Sequence, residues 1–489
     1  MFFFQPVFLA LAALFTGLAA IPMRPGHFKL ILAATSLVFL ALSLDPARLW
    51  LLAGFVATGF VATRAARRFG WYAAVPGLIV LLAEFVAVHA GGVLLIDPDL
   101  IGIVGILGLA YVLSRMIHIL IDVTVDPKGM PRVTVVDYLN VNLSFLTFLS
   151  GPLQRFPDHL DAIERRAPAQ GAARVAALGR IAAGYARILI ALPLIDLARD
   201  WLMRQAADGN VAGVDLMAIA GAAVGSDGPA LVTMTFQVLA ATLFPIRLYL
   251  NFAAYMDIVI GLGRLAGLSL PENFRHPFRA NALLDYWSRW HITMSDWYRD
   301  YIFTPVVTAL CRRWPSARAM EVHAMIGLLV TFVVVGLWHD VSLDFVAIGL
   351  LIGAGMIWNR AWRWGLRSAL GSGAWKRLKG RAWYRAGSAI ACYLFLTSFV
   401  AVYMWLYGDA PPPTLAPRPV FLLVLVPVVP AIFLGGLVWR YLSVRVEGWA
   451  ARIDADWRSC LGLAAAICVL LLIASMRVEP IPEFTYARF

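Results

Sequence analysis

The sequence predicts an all-α, polytopic membrane protein of roughly a dozen tilted or re-entrant helices, and three observations carry that expectation. Of 489 residues, 61% are hydrophobic and only 14% charged, with a mean hydropathy of +0.77. That composition excludes a soluble enzyme or a disordered scaffold. Apolar stretches near the ~20 residues needed to cross a bilayer recur along the chain, separated by short polar breaks. Those breaks alternate between arginine-rich and neutral or acidic, as the positive-inside tendency requires. The net charge of +12 then marks cytoplasmic loops beside anionic lipid, and nucleic-acid binding is not implied.

Residues 1–99 read as N-terminal transmembrane helices. Phe2 to Ile21 has no positive residue ahead of it and meets Arg24 and Lys29 behind it, the reverse of a secretory signal's charge order. It is expected to be a retained helix with its N-terminus outside. Leu30–Leu44 follows, closed by Asp45-Pro-Ala-Arg48. The next run ends at Arg64, Arg67 and Arg68, and Trp71–Ala90 leads to Asp97 and Asp99. The zigzag puts the arginines inside and the two aspartates outside. Arg165–Arg166, Arg312–Arg313 with Arg318, and the dense group from Arg360 through Arg385 are expected on the cytoplasmic side as well.

From Leu100 the regularity fails, because polar residues sit inside apolar runs. Arg115 and His118 interrupt one, Asp137, Asn140 and Asn142 the next, and Arg247, Asn251 and Asp257 a third. Polar groups at membrane depth are costly unless they face a cavity or one another. Two readings stand side by side: satisfied structural networks, or a chamber lined by residues around 100 to 360, where broken and re-entrant helices are tolerated.

The stretch Asp285 to Tyr301 is unlike the rest. At helical spacing Trp287, Trp290, His291, Met294, Trp297, Tyr298 and Tyr301 share one side, while Asp285, Ser288, Arg289, Asp296, Arg299 and Asp300 share the other. This predicts one aromatic-faced amphipathic helix, with charge pairs such as Asp285 with Arg289 on its polar face. An interfacial helix accounts for the aromatics but not for an imidazole among them. A second unusual site is Gly336-Leu-Trp-His-Asp340, closing an apolar run that begins near Met325. That run is short for a crossing, so His339 is expected at depth in a tilted or re-entrant helix. An apolar setting keeps an imidazole neutral and able to take a hydroxyl proton; a packing histidine is the competing reading.

Other signals are weaker. Cys311, Cys392, Cys460 and Cys468 lack zinc or redox spacing and read as small core hydrophobes; no metal is expected. Gly261-Leu-Gly263 lacks the rest of a dinucleotide fingerprint and reads as helix packing. Asp409 through Pro419 is a stiff loop between late helices. A polymer-precursor transporter or flippase would more often carry paired half-repeats, which are not evident. A polytopic glycosyltransferase would carry an acidic pair in an early external loop, where Asp45 stands alone and Asp97 and Asp99 leave a small opening.

At these residues the sequence resembles the membrane-bound O-acyltransferase family, in the bacterial branch of alginate O-acetylation and teichoic-acid D-alanylation proteins. The resemblance rests on Tyr255-Met-Asp-Ile-Val-Ile-Gly-Leu-Gly-Arg264, Leu270-Pro-Glu-Asn-Phe-Arg-His-Pro-Phe278, Tyr286-Trp-Ser-Arg-Trp-His-Ile-Thr-Met-Ser295, Arg299-Asp-Tyr301 and Gly336-Leu-Trp-His339. Weaker echoes are His118-Ile-Leu-Ile-Asp-Val123 and Ser150-Gly-Pro-Leu-Gln-Arg155.

The resemblance implies helices ringed around a central channel, an acyltransferase core at 100–365 holding both motif histidines, and C-terminal transmembrane helices at 366–489. It implies His339 as the catalytic base and His291 as a second histidine that assists it or holds the site together. Asp257, Trp290, Trp338, Asp340 and Arg289 are the implied substrate-binding or channel-lining side chains. The implied reaction moves an acyl group, acetyl first and D-alanyl as the alternative, from a cytoplasmic thioester to a hydroxyl of a polysaccharide or wall polymer. The donor is acetyl-CoA or an acyl carrier, no cofactor is bound, and an extracytoplasmic accessory acyltransferase completes the transfer at a bacterial inner membrane. Three departures bear on the acceptor. Asp340 stands where the family more often has glycine, Ala253-Ala254 where a serine-glycine pair is common, and Val306-Val307 where alginate-type members have paired glycines. Asp340 either orients His339 or solvates a helix end, and Asp257 either positions an acceptor or pairs with Arg264.

Overall fold

A computed structural model describes residues 4–89, 108–208, 210–211, 214–224, 228–316, 319–407, 462 and 465–469. Asp97, Asp99, Arg318, Cys460 and the stretch Asp409–Pro419, expected from the sequence as a loop, lie outside them. Among the described residues the regular secondary structure is helical apart from a two-residue β-pairing, Asn210–Val211 with Val214–Asp215, and an isolated bridge between Phe274 and Trp290.

Four helices open the chain: α1 (Pro6–Ala19), α2 (Pro25–Ser43), α3 (Pro46–Phe69) and α4 (Trp71–His89). Proline begins α1, α2 and α3, where its missing N–H has no helical partner to lose. Asp45 caps α3 by accepting from the Arg48 N–H at 2.9 Å, and Arg67 and Arg68 end it. Then come α5 (Leu109–Val125), α6 (Val135–Leu143), α7 (Phe156–Glu164), α8 (Gly171–Ala186), α9 (Leu192–Asp208) and α10 (Leu216–Val224). The 38-residue α11 (Gly228–Leu265) carries Pro245 inside it. The chain continues through α12 (Leu283–Trp287), α13 (Ile292–Tyr298), α14 (Thr304–Arg313), α15 (Met320–His339), α16 (Leu343–Gly380) and α17 (Ala382–Tyr407).

Among the described residues, seven helical stretches are long and apolar enough to cross a membrane. They are α2, α3, most of α4, the stretch from α8 through α9, most of α11, α15 and α16. The multi-pass expectation therefore holds.

Most of the polar residues that broke the apolar pattern are buried, with Arg247 and Asp257 half-buried, and several find partners inside the core. Arg115 is 1% exposed and donates to the backbone oxygens of Asn142 and Thr147. Lys29 pairs with Asp137 at 3.0 Å and Glu164 at 3.3 Å, and Arg247 pairs with Asp196 across α9 and α11. Pairing of this kind is what makes ionisable groups tolerable in an apolar surround.

Two expectations need correction. Asp285–Tyr301 is not one helix: α12 ends at Trp287, His291 takes a left-handed conformation (φ 46°), and only then does α13 start. The cause is a strand-like pairing: Arg275 N–H donates to Arg289 O at 3.0 Å and Ile292 N–H to Asn273 O at 2.9 Å. Those bonds take backbone groups that a continuous helix would need. The sidedness survives the break, with Trp290, His291, Met294, Trp297 and Tyr298 buried. The second correction concerns α15, which starts at Met320 and runs 20 residues, enough for a crossing. Glu321 and His323 belong to it because each has a partner: Arg360 at 2.7 Å and Cys311 Sγ at 3.4 Å.

The cysteines also diverge. Cys392 is buried as a core hydrophobe, Cys311 is half-buried beside His323, and Cys468 is exposed.

Candidate active site

α15 and α16 form a tight antiparallel hairpin with His339 at the end of the first helix. The close crossing depends on Gly336 and Gly349, where a Cβ would run into the facing carbonyls of Phe345 and Phe332. Ser342 caps α16 by accepting from the Phe345 N–H, which closes the turn after only three residues. His339 is fixed by its neighbours, packing edge-on to Trp338 with ring centroids 4.8 Å apart and lying parallel to Phe345 at 6.1 Å.

His291 approaches from the broken aromatic segment. Its Nδ1 lies 3.2 Å from Asn273 Oδ1 and its Nε2 2.8 Å from the Tyr111 hydroxyl. Phe252 of α11 packs edge-on against the ring at 4.9 Å. Burial, with a smaller contribution from nearby His339, pushes the His291 imidazole down to about 3, so it is neutral at physiological pH. A left-handed histidine costs on the order of 1 kcal/mol; the pairing with residues 273–275 and the side-chain bonds hold it there.

Helix α5 serves both histidine segments. Trp338 Nε1 donates to Ala110 O at 3.1 Å and Ser114 Oγ at 3.0 Å, and Trp297 Nε1 donates to Ser114 O at 2.9 Å. Further along α5, Tyr301 donates to Asp122 at 2.7 Å, while Arg155 lies 4.4 Å over the Tyr301 ring and pairs with Asp300 at 2.8 Å.

Between these elements lies a cavity of about 430 Å³. His339, His291, Trp338 and Trp290 line it, together with the charged side chains of Asp296, Arg299 and Arg360. Leu328, Phe332, Val335, Ile348, Ile352 and Met356 supply an apolar wall along the hairpin. Phe345, beside His339, and Arg360 are 15 helical positions apart, about 22 Å at 1.5 Å per residue. The cavity is therefore elongated and mostly apolar, with Arg360 at the end away from His339.

Four of the residues singled out in the sequence, His339, His291, Trp290 and Trp338, meet in this cavity, and three lie elsewhere. Arg289 donates to Asp285 at 2.8 Å on the far side of the segment. Asp340 is the residue after α15, its N–H donating to Gly336 O at 3.1 Å. Asp257 pairs with Arg180 at 2.9 Å and with Arg187, both on the α8 side, while Arg264 pairs with Glu272. Tyr111, Ser114 and Asn273 are not among the site residues read from the sequence, and Arg360 is read there only as part of a basic group. Asn273 sits inside a quoted motif and was within reach of sequence reading; Tyr111 and Ser114, lodged in an apolar run, gave no signal.

The same region answers to a known family. The family profile of the membrane-bound O-acyltransferases matches residues 132–399. The chain belongs to the membrane-bound O-acyltransferase family. Among its relatives, the teichoic acid D-alanyltransferase of Bacillus subtilis is 30% identical over 128 residues, 25% of this chain and 32% of that protein. The peptidoglycan O-acetyltransferase of Helicobacter pylori is 32% identical over 119 residues, 24% of this chain and 21% of the relative. A probable alginate O-acetylase of Azotobacter vinelandii is 31% identical over 125 residues, covering 26% and 23% respectively. The chain thus spans a third or less of the length of these curated relatives. In this O-acyltransferase family member the matched region holds both histidines, Asn273 and Arg360, whereas Tyr111 and Ser114 precede it.

Proposed function

We propose that this protein transfers an acyl group, acetyl in the first instance, from a cytoplasmic thioester to a hydroxyl of a bacterial cell-surface polymer. The observation that carries the reading is the cavity: a long apolar wall with two imidazoles in its lining, and Arg360 at the end of the hairpin away from His339. A thioester is already activated, so the enzyme needs chiefly a base for the hydroxyl, alignment of the two reactants and dry surroundings. In this reading His339 takes the hydroxyl proton, the oxygen attacks the thioester carbonyl, and the thiolate leaves toward the Arg360 end. His291 supports the site, and Trp290 and Trp338 exclude water from it. The remaining candidates, Asp257, Arg289 and Asp340, act from outside the cavity by holding the elements that shape it.

We assign the chemistry to residues 100–365, with 1–99 and 366–489 as flanking membrane helices. The donor is acetyl-CoA or an acylated carrier, the membrane is the inner membrane, and an accessory acyltransferase on the outer face carries the group to the polymer. D-alanyl transfer is the second reading. It is favoured by the teichoic acid D-alanyltransferases among the relatives and by Val306-Val307 in place of paired glycines.

The test uses purified protein in detergent with radiolabelled acetyl and D-alanyl thioesters, each on coenzyme A and on a carrier protein, and a panel of polysaccharide and wall-polymer acceptors. Thioester turnover that depends on an acceptor supports acyl transfer, and the preferred label separates the two readings. Absence of turnover with every donor, from protein shown to be monodisperse, overturns both.

A further inference from the structure

Asn273 dictates the protonation of His291. Its side-chain oxygen receives the Thr293 N–H at 3.1 Å and the Thr293 hydroxyl at 2.8 Å, so it is an acceptor. The His291 Nδ1 at 3.2 Å must then carry the hydrogen. That leaves a lone pair on Nε2, into which the Tyr111 hydroxyl, 2.8 Å away, donates its proton. Both ring nitrogens are thereby engaged, and the ring is held as the Nδ1–H tautomer.

Tyr111 is also connected to the other histidine through Trp338. Its ring lies parallel to His291 at 5.9 Å and edge-on to Trp338 at 5.0 Å, and Trp338 is the ring against which His339 packs. One turn along α5, Ser114 accepts the Trp338 indole N–H. A single helical turn thus grips both histidine motifs, from outside the region that matches the family.

We infer that Tyr111 is a positioning residue for acyl transfer: its hydroxyl fixes the His291 tautomer while its ring braces Trp338 beside His339. The inference rests on the function proposed above for its kinetic consequence but not for its geometry. With its Nε2 lone pair committed to Tyr111, His291 orients the site and leaves His339 to accept the proton from the substrate hydroxyl.

Tyr111→Phe separates the two contributions, because it keeps the ring and removes only the O–H. With protein in lipid nanodiscs, Tyr111→Phe should lower the melting temperature only slightly, as loss of one buried hydrogen bond does, and keep the donor KM, while kcat falls about tenfold, the rate equivalent of one such bond. The double variant Tyr111→Phe/His291→Gln should be no slower than His291→Gln alone, since the pair acts as a unit. A second readout needs no activity. Nitrogen-15 NMR of ring-labelled histidine, with the His291 signal identified by its loss in His291→Gln, should report Nδ1 protonated and Nε2 bare, and the Nε2 signal should move in Tyr111→Phe. A protonated Nε2, or an Nε2 signal unmoved by Tyr111→Phe, overturns the tautomer assignment. A Tyr111→Phe enzyme at wild-type rate overturns the kinetic role. If the wild-type protein transfers no acyl group, the proposed function fails and the NMR result alone decides the geometry.

Discussion

Arg360 donates to Glu321 at 2.7 Å, which sets the basic stretch of α16 beside the first turn of α15. The end of the hairpin that carries Arg360, beside which Cys311 near the end of α14 meets His323, is therefore opposite the end that carries His339. Arg67 of α3 reaches the backbone oxygens of Met130 and Pro131, just past the C-terminus of α5, while Tyr111, at the other end of α5, touches His291. These contacts gather the basic groups on one side and the histidines toward the other.

Cysteine accessibility in intact cells should follow that division. Single cysteines placed at Arg64–Arg68 or between Arg360 and Arg385 should be protected from an impermeant maleimide, and those at Asp97 or Asp99 labelled. External labelling of the Arg360–Arg385 stretch would reverse the orientation, and with it the side from which the thioester enters.

Trp290→Ala should destabilise the folded protein by about 3–5 kcal/mol, the range for deleting a large buried aromatic. Trp290 is 5% exposed and packs on Tyr286 at 5.6 Å and Phe274 at 5.0 Å. Ser288 is exposed and bonds only the Asp285 carbonyl one turn back, so Ser288→Ala should shift stability by less than about 0.5 kcal/mol. Thermal unfolding in one detergent compares them, and equal small effects would mean that the aromatic side of this segment is not load-carrying.

How far the sequence could be read follows from where each signal lives. Helix spans are written in composition, so α2 and α3 show as apolar runs, whereas α15 reads as short because Glu321 and His323 lie in its first turn, and the rare residues around His291 and His339 mark the site. The break at His291 was hidden because helical periodicity describes side chains, whereas the break comes from backbone bonds to Asn273 and Arg275, distant in sequence. Asp257 reads from the sequence as an acceptor-positioning group or a partner of Arg264, a neighbour along the chain, yet it meets Arg180 and Arg187, which lie far from it in sequence. Tyr111 was invisible because a tyrosine in an apolar run looks like core until its hydroxyl finds a partner.

Acid should weaken the fold partly through His291. Its folded imidazole titrates near 3 because burial disfavours the cation, against about 6.5 for the unfolded chain. Its contribution is fully present above the unfolded value and is lost as pH falls from about 6.5 toward 3, because the unfolded state then binds the proton that the folded state refuses. The loss approaches about 1.4 kcal/mol per pH unit below 6. His291→Gln keeps an amide for hydrogen bonding but cannot titrate, so its stability should fall less steeply between pH 6 and 4 than that of the wild type. Parallel curves would show that His291 is not a buried neutral imidazole.

His339 carries the sharpest prediction. As general base, its replacement by Gln should preserve insertion and monodispersity, because Gln is of similar size and the packing against Trp338 and Phe345 tolerates it. Acyl transfer should nonetheless fall by at least about a hundredfold, the lower scale for losing general-base catalysis. Single-turnover transfer from a preloaded donor is the measurement to use, since it isolates chemistry from product release. The His291→Gln variant should be slower than wild type but faster than His339→Gln, because it loses orientation and keeps the base. The double variant should be scarcely slower than His339→Gln, since orienting an absent base has no value. A His339→Gln protein that transfers at near wild-type rate would remove His339 from the chemistry and make it a packing residue at the hairpin tip.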